Sequence, residues 1–240
     1  MKAVAVIPAR LESTRMPRKM LREIAGRPLV VWVYEAVRSS PLLDAVIVAT
    51  DSEEIVASCR RHGCQVQMTA LTHRSGTERV QEVARSVPAE VYVNVQGDEP
   101  LIRRAHFESL LDLFQDASTQ VGTLKTPAAP EDIANPNAVK VVTAKDGRAL
   151  YFSRSPIPYD RDDRRPPYFK HLGIYAYRKP ALDRFVRLPE SALERAERLE
   201  QLRFLENGIP IYTAETAEDT VGVDTEEDLA RVEKLLMGSA

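Results

Sequence analysis

Ala3-Val4-Ala5-Val6-Ile7 is an apolar run with no polar alternation, and Pro8-Ala9-Arg10 ends it at once. A strand of that composition is covered on both faces, as strands inside a parallel sheet are. The same composition returns in Ala45-Val46-Ile47-Val48-Ala49-Thr50 and in Val91-Tyr92-Val93-Asn94-Val95. Helical stretches lie between these runs. Pro28 suits the first position of a helix reaching Arg38. Asp51 or Ser52 can cap a second helix through His62, with Gly63 as its stop. Thr77 opens a third through Val87. A β-α-β-α-β succession predicts a three-layer α/β/α fold around a mostly parallel, Rossmann-like sheet with right-handed crossovers.

The second half of the chain is less regular. Residues 138–143 and 149–153 flank Lys145-Asp146-Gly147, a hairpin signal. Pro156, Pro158, the charged stretch 160–165, Pro166 and Pro167 form an exposed loop. Residues 172–177 read as a strand, and 193–205 and 225–236 as helices. The 240 residues then make one domain, 1–240, with a smaller β-rich insertion at about 130–180. The hydrophobic content of 44% is enough to exclude a disordered chain.

The charges balance, 33 cations against 35 anions, so no basic excess predicts a nucleic-acid partner. No apolar run approaches the ~18 residues of a membrane span, and the start of the chain lacks a signal-peptide layout. Two cysteines, Cys59 and Cys64, make no disulfide framework and read as small packed hydrophobes. Together these features predict a cytoplasmic protein with no membrane partner. Trp32 reads as core.

In an open parallel sheet, ligands bind beyond the carboxyl ends of the strands. The first such position holds Arg10, Arg15, Arg18 and Lys19 within ten residues, among small and turn-forming neighbours. Charge alone would equally make a solvated basic loop, but the position after a buried strand favours a polyphosphate, which guanidinium forks, an ammonium and free backbone amides suit. The loop matches neither a P-loop nor a Gly-x-Gly-x-x-Gly turn. After the third strand comes Gln96-Gly97-Asp98-Glu99-Pro100, where Asp98 either suits Mg²⁺, a hard cation that bridges carboxylate and phosphate oxygens, or is a turn residue or helix cap before Pro100. Asp224 is either a second ligand or a helix starter, since Thr225 and Asp228 resemble a capping box. Ser75-Gly76-Thr77 either meets a base or phosphate or is a well-capped helix start. His62, His106 and His171 lack metal-ligand spacing, and no catalytic triad can be read.

These blocks, taken together and in order, resemble the sugar-acid cytidylyltransferases. Pro8-Ala9-Arg10-x-x-Ser13-x-Arg15-x-x-x-Lys19 resembles that family's nucleotide loop. Ala49-Thr50-Asp51, Ser75-Gly76-Thr77-Glu78-Arg79, the block 93–100, Asn135-Pro136-Asn137-Ala138-Val139-Lys140, Tyr151-Phe152-Ser153-Arg154, His171-Leu172-Gly173-Ile174-Tyr175, Leu199-Glu200-Gln201-Leu202-Arg203 and Gly222-Val223-Asp224-Thr225 extend the likeness over nearly the full length. The resemblance implies Mg²⁺-dependent transfer of CMP from CTP to the anomeric hydroxyl of 3-deoxy-D-manno-octulosonate (Kdo), with release of pyrophosphate, for lipopolysaccharide synthesis. A related acceptor, 8-amino-Kdo or sialic acid, is the alternative. It implies catalytic roles for Arg10, Lys19, Asp98 and Asp224, with the two aspartates as metal ligands. It places Pro8, Ala9, Arg10, Ser13, Arg15, Lys19, Ser75, Gly76, Gln96 and Gly97 around the nucleotide. Gln96, Arg154, His171, Tyr175, Glu200 and Gln201 would form the sugar pocket. The segment from Tyr151 resembles a dimerisation insertion, implying a homodimer.

Overall fold

The computed structural model describes residues 1–12 and 16–238. Two compact units divide the chain: Met1–Phe107 together with the chain from Thr220, and Glu108–Asp219.

In the first unit, β1 (Ala3–Ala9) leads through a short turn at Lys19–Leu21 into a hairpin of two-residue strands, β2 (Glu23–Ile24) and β3 (Arg27–Pro28). Helix α1 (Leu29–Arg38), β4 (Ala45–Thr50), α2 (Glu53–Arg61), β5 (Val66–Met68), α3 (Gly76–Ser86) and β6 (Val91–Asn94) follow, and α4 (Arg104–Asp112) carries the chain past Phe107, where the first unit ends. Strand β1 pairs in parallel with both β4 and β6, and β4 with β5, so the order is β6-β1-β4-β5. Val4, Ala5, Val6 and Ile7 are fully buried, as the unbroken apolar run requires.

The connections β1 to β4 and β4 to β5 run one way across this sheet, and β5 to β6 runs back. Right-handed crossovers therefore put α1 and α2 on one face and α3 on the other, which is the expected layering. The order reverses between β1 and β6, so the carboxyl ends of these two strands flank the crevice where such sheets take ligands.

Local signals explain the helix ends. Ser52 caps α2 by accepting from the Ile55 amide at 3.4 Å, and Gly63 follows its end at φ +71°. Pro28 lies one residue earlier than expected, in β3, and precedes α1 as its cap. Trp32 is half-buried and donates its indole N–H to the Ile24 carbonyl at 2.9 Å.

In the second unit, β7 (Val121–Pro127), α5 (Pro130–Ile133), β8 (Lys140–Thr143), β9 (Ala149–Ser153), β10 (Phe169–Tyr177), α6 (Lys179–Phe185), α7 (Ala192–Glu197), α8 (Leu202–Glu206) and β11 (Tyr212–Glu215) follow one another. Strand β7 lies antiparallel to β10 and parallel to β11. The expected hairpin forms as β8 and β9, turning through Gly147 at φ +84°. The chain then returns to the first unit in α9 (Glu226–Gly238).

The helix expected over 193–205 is two short helices. Arg198 ends α7 in the left-handed region at φ +54°, and α8 starts only at Leu202. The reason is tertiary. The Arg154 guanidinium takes the Glu197 carbonyl at 2.7 Å and the Arg198 carbonyl at 3.5 Å, so these carbonyls are satisfied without a continuing helix. The break sets Glu200 and Gln201 in a turn.

Candidate active site

Three segments of the first unit meet at the carboxyl ends of β1 and β6. Lys19, in the short turn after β1, is almost buried. Its Nζ donates to Asp98 Oδ2 at 2.5 Å and to Asp224 Oδ1 at 3.0 Å. The three residues are 79 and 205 positions apart in the Lys19–Asp98 and Lys19–Asp224 pairs, so only the fold joins them.

Each is held by identifiable local structure. Gly97 precedes Asp98 and packs where no side chain fits. A Cβ there would lie 2.8 Å from Met20 Sδ and 2.9 Å from the Pro8 carbonyl oxygen. The glycine thus lets the β6 end press against the β1 end beside Lys19. Asp224 is brought in by the Val223 amide, which donates to the Asp98 carbonyl at 2.9 Å. Nearby, Met16, Ile24, Leu29, Val223 and Val232 form one buried apolar cluster, joined by Trp32. That cluster ties α9 and the 223 turn to the segment carrying Lys19.

The capping question at Asp224 resolves in the side chains. Asp228 Oδ2 accepts from the Thr225 amide at 2.9 Å, and Thr225 Oγ1 accepts from the Asp228 amide at 3.1 Å. Thr225 and Asp228 start the helix between them, and the Asp224 carboxylate faces Lys19.

Burial alone would depress the Lys19 ammonium. Asp98 first and then Asp224 outweigh it, and hold the pKa above its ordinary value. Lys19 is therefore a fixed positive charge at neutral pH. Two hard carboxylates converging on one cation also suit Mg²⁺, which binds through one or two carboxylates and completes its shell with water and substrate phosphate. Among the described residues no group of three or more His, Cys, Asp or Glu that could hold a metal ion forms.

The other nucleotide candidates surround this point unequally. Pro8 and Ala9 end β1, and Arg10 follows them exposed. Gly76 sits against Pro8: a Cβ on this glycine would lie 3.3 Å from Pro8 Cγ. Ser75 caps α3, accepting from the Glu78 amide at 3.3 Å, so the capped start and the nearness to β1 hold together. Arg18 is turned away to Glu54. Ser13 and Arg15 lie outside the described residues. Gln96 is half-buried just beyond β6. Asn94 is a candidate that sequence reasoning missed. Both ends of its buried amide lack partners among the described residues, and its Nδ2 lies 3.5 Å from where a Gly76 Cβ would be. A polar residue inside an apolar strand run is the signal that could have found it.

In the second unit, His171 and Tyr175 lie side by side with ring centroids 5.2 Å apart, and Phe152 packs edge-on to His171 at 4.9 Å. Burial pushes the His171 imidazole down to about 3, so it is neutral. Burial, then Tyr177 and Glu200, push the Tyr175 phenol well above its ordinary value. The Tyr175 hydroxyl is buried with no partner among the described residues. Gln201 is buried at the α7–α8 break beside Glu200 in sequence. Arg154 also gives Nη1 to the Pro136 carbonyl at 2.8 Å. Three of its five N–H groups thus go to carbonyls, leaving two for any ligand. Glu197 has no counterpart among the expected site residues. Its carboxylate takes the Ser153 hydroxyl at 2.7 Å and the Arg154 amide at 2.9 Å, closing the clamp from the other side.

Residues 4–217 match the family model for cytidylyltransferases. The chain is 66% identical to a 3-deoxy-manno-octulosonate cytidylyltransferase from Koribacter versatilis over 236 residues, covering 98% of this chain and 90% of that one. It is 58% identical to one from Acidobacterium capsulatum over 235 residues, covering 98% and 96%. A solved CMP:2-keto-3-deoxy-manno-octonic acid synthetase complexed with CTP is similar over 100% of both chains, at 44% identity and a TM-score of 0.95.

Proposed function

The chain belongs to the cytidylyltransferase family, and from that premise we propose that it joins CMP from CTP to Kdo, as a 3-deoxy-manno-octulosonate cytidylyltransferase. The observation that carries the reading is the meeting of Lys19, Asp98 and Asp224 at the switch point of the sheet.

The reaction forms a bond between the anomeric oxygen of the sugar acid and the α-phosphorus of CTP. The bond from that phosphorus to the α,β-bridging oxygen breaks, pyrophosphate leaves in line, and the hydroxyl proton passes to water. Asp98 and Asp224 would hold Mg²⁺, which when bound neutralises phosphate charge and makes a coordinated hydroxyl more acidic. Lys19, kept charged by the same carboxylates, stabilises the negative charge that grows on the leaving pyrophosphate. Arg10 neutralises the phosphate tail from the exposed side of the β1 end. Pro8, Ala9, Gly76 and Gly97 bring backbone close to the nucleotide. Neutral His171 and the Tyr175 hydroxyl bind hydroxyl groups of the sugar acid, and Gln96, Glu200, Gln201 and the remaining N–H groups of Arg154 serve the same substrate.

The setting we propose is a cytoplasmic homodimer that activates Kdo for lipopolysaccharide synthesis. Among the described residues no helix is long and apolar enough to cross a membrane. The test incubates the protein with each nucleoside triphosphate, Mg²⁺, and either Kdo, 8-amino-Kdo or sialic acid, and measures pyrophosphate. Release with CTP and Kdo, far above the other pairs, is expected. Equal release with all four triphosphates, or release only with sialic acid, would overturn the reading.

A further inference from the structure

Strands β10 and β7 slip register in the middle of their pairing. His171 opposes Lys125 and Leu172 opposes Leu124, yet the next pair is Tyr175 with Thr123. Gly173 and Ile174 are extra residues, bulged out of the ladder. In a regular strand, residues four apart are about 13 Å from each other. Here their partners, Lys125 and Thr123, are only two apart, a spacing of about 7 Å. The bulge is thus what brings the His171 and Tyr175 rings to 5.2 Å on one face.

Thr123 occupies the centre of that bulge and is fully buried. Its Oγ1 lies 2.7 Å from the Ile174 carbonyl oxygen, 3.3 Å from the Leu172 carbonyl oxygen and 3.0 Å from His171 Nε2. A hydroxyl has one hydrogen to donate and lone pairs to accept with. The two carbonyls only accept, so that hydrogen goes to them, the shorter contact being Ile174. Thr123 Oγ1 is then the acceptor of its contact with His171, and Nε2 must carry the ring proton. Among the described residues nothing hydrogen-bonds to His171 Nδ1.

We propose that Thr123 is the positioning residue of the sugar pocket: its hydroxyl pins the β10 bulge and holds His171 as the Nε2–H tautomer, so that Nδ1 is a bare acceptor on the ring next to that of Tyr175. The pair presents one acceptor and one donor on neighbouring rings, a pattern that matches two hydroxyls of a polyhydroxylated substrate. This rests on the reading above that His171 and Tyr175 meet the sugar acid. Nothing in the sequence around Thr123 marks it, because its role depends on a register slip in another strand.

The experiment has two arms. In the first, ¹⁵N-histidine protein without substrate is examined by long-range nitrogen–proton correlation, and the His171 signals are assigned by their loss in His171→Gln. A protonated Nε2 and a bare Nδ1 are expected; a protonated Nδ1, or a charged ring at neutral pH, overturns the proposal. In the second, Thr123→Val is expected to raise KM for Kdo about tenfold, the equivalent of one lost hydrogen bond, with kcat at saturating Kdo and KM for CTP unchanged. Thr123→Ser is expected to restore both the spectrum and KM. A serine variant as impaired as valine, or a valine variant with unchanged KM, overturns the positioning role. Should valine fail to fold, the wild-type spectrum and the serine variant decide. Kdo turnover by the wild type is a separate measurement, so loss of the proposed activity and loss of this inference are told apart.

Discussion

At Lys19 two electrostatic effects oppose each other, and which one wins decides what the residue can do. Desolvation favours a neutral amine, whereas two carboxylates favour the ammonium, and the carboxylates prevail. The charge is therefore present before any substrate arrives, and in the reaction proposed above it would act on charge that develops later. Replacing it should show in turnover more than in binding. Lys19→Ala is expected to lower kcat about 10²–10³-fold, the usual loss for one donor to developing charge. It should also leave Mg²⁺ affinity undiminished, because the ammonium competes for the carboxylates Asp98 and Asp224. Steady-state kinetics and Mg²⁺ calorimetry check both; a kcat within a few-fold of wild type would remove Lys19 from the chemistry.

The residues of this site are unequally legible in the sequence. Asp98 can be read because it follows a buried strand by a few residues, and position after a strand is itself a signal. Asp224 cannot be separated from a helix starter by sequence, since the Thr225–Asp228 pair explains a helix start on its own. In the fold its carboxylate accepts from Lys19, while Thr225 and Asp228 cap each other. Thr123 and Glu197 are illegible for a different reason. Both act by hydrogen bonds to distant segments, and no local pattern encodes those.

On the scale of the element, the strand runs are readable to within two residues because parallel strands must be apolar on both faces. The stretch 193–205 misleads because helix propensity is local, whereas the break at Arg198 is stabilised by Arg154, some 44 residues earlier. Strand β7 leaves no clear trace: Gly122 and Lys125 interrupt its apolar pattern. Glycine positions carry the complementary lesson. At Gly97, Met20 Sδ ends a flexible side chain and can swing aside, but the Pro8 carbonyl oxygen belongs to β1 and cannot. A methyl there must push the β6 end away from β1, and Asp98 with it. Gly97→Ala is expected to cost ~1–3 kcal/mol of stability, as overpacking of a tight contact does. Turnover should fall further than stability explains, because Asp98 leaves Lys19. Denaturant midpoints and kcat on the same sample test this, and a variant with both unchanged would refute the close-approach argument.

For the whole molecule, the two compact units are hidden in the sequence because the first is assembled from both ends of the chain. A contiguous reading of composition finds no boundary that a returning segment would leave. What the sequence does suggest, a β-rich segment fit for pairing, has a physical counterpart in β9. Among the described residues β9 pairs as a strand with β8 alone; the Ala149 amide donates to the Ile211 carbonyl at 2.8 Å, and beyond it the other edge pairs with no strand. Leu150 on this strand is 61% exposed. An open edge bearing a large apolar side chain is an aggregation hazard unless something covers it. The homodimer proposed above would cover it without needing any further partner, and a stable pair requires about 800 Å² on each side. The protein is therefore expected to sediment at twice its 26.9 kDa. Leu150→Glu sets a charge on that edge in each copy, and should shift sedimentation toward the single chain while circular dichroism stays unchanged. Wild-type protein that sediments as a single chain at micromolar concentration would leave the edge uncovered and the homodimer without support.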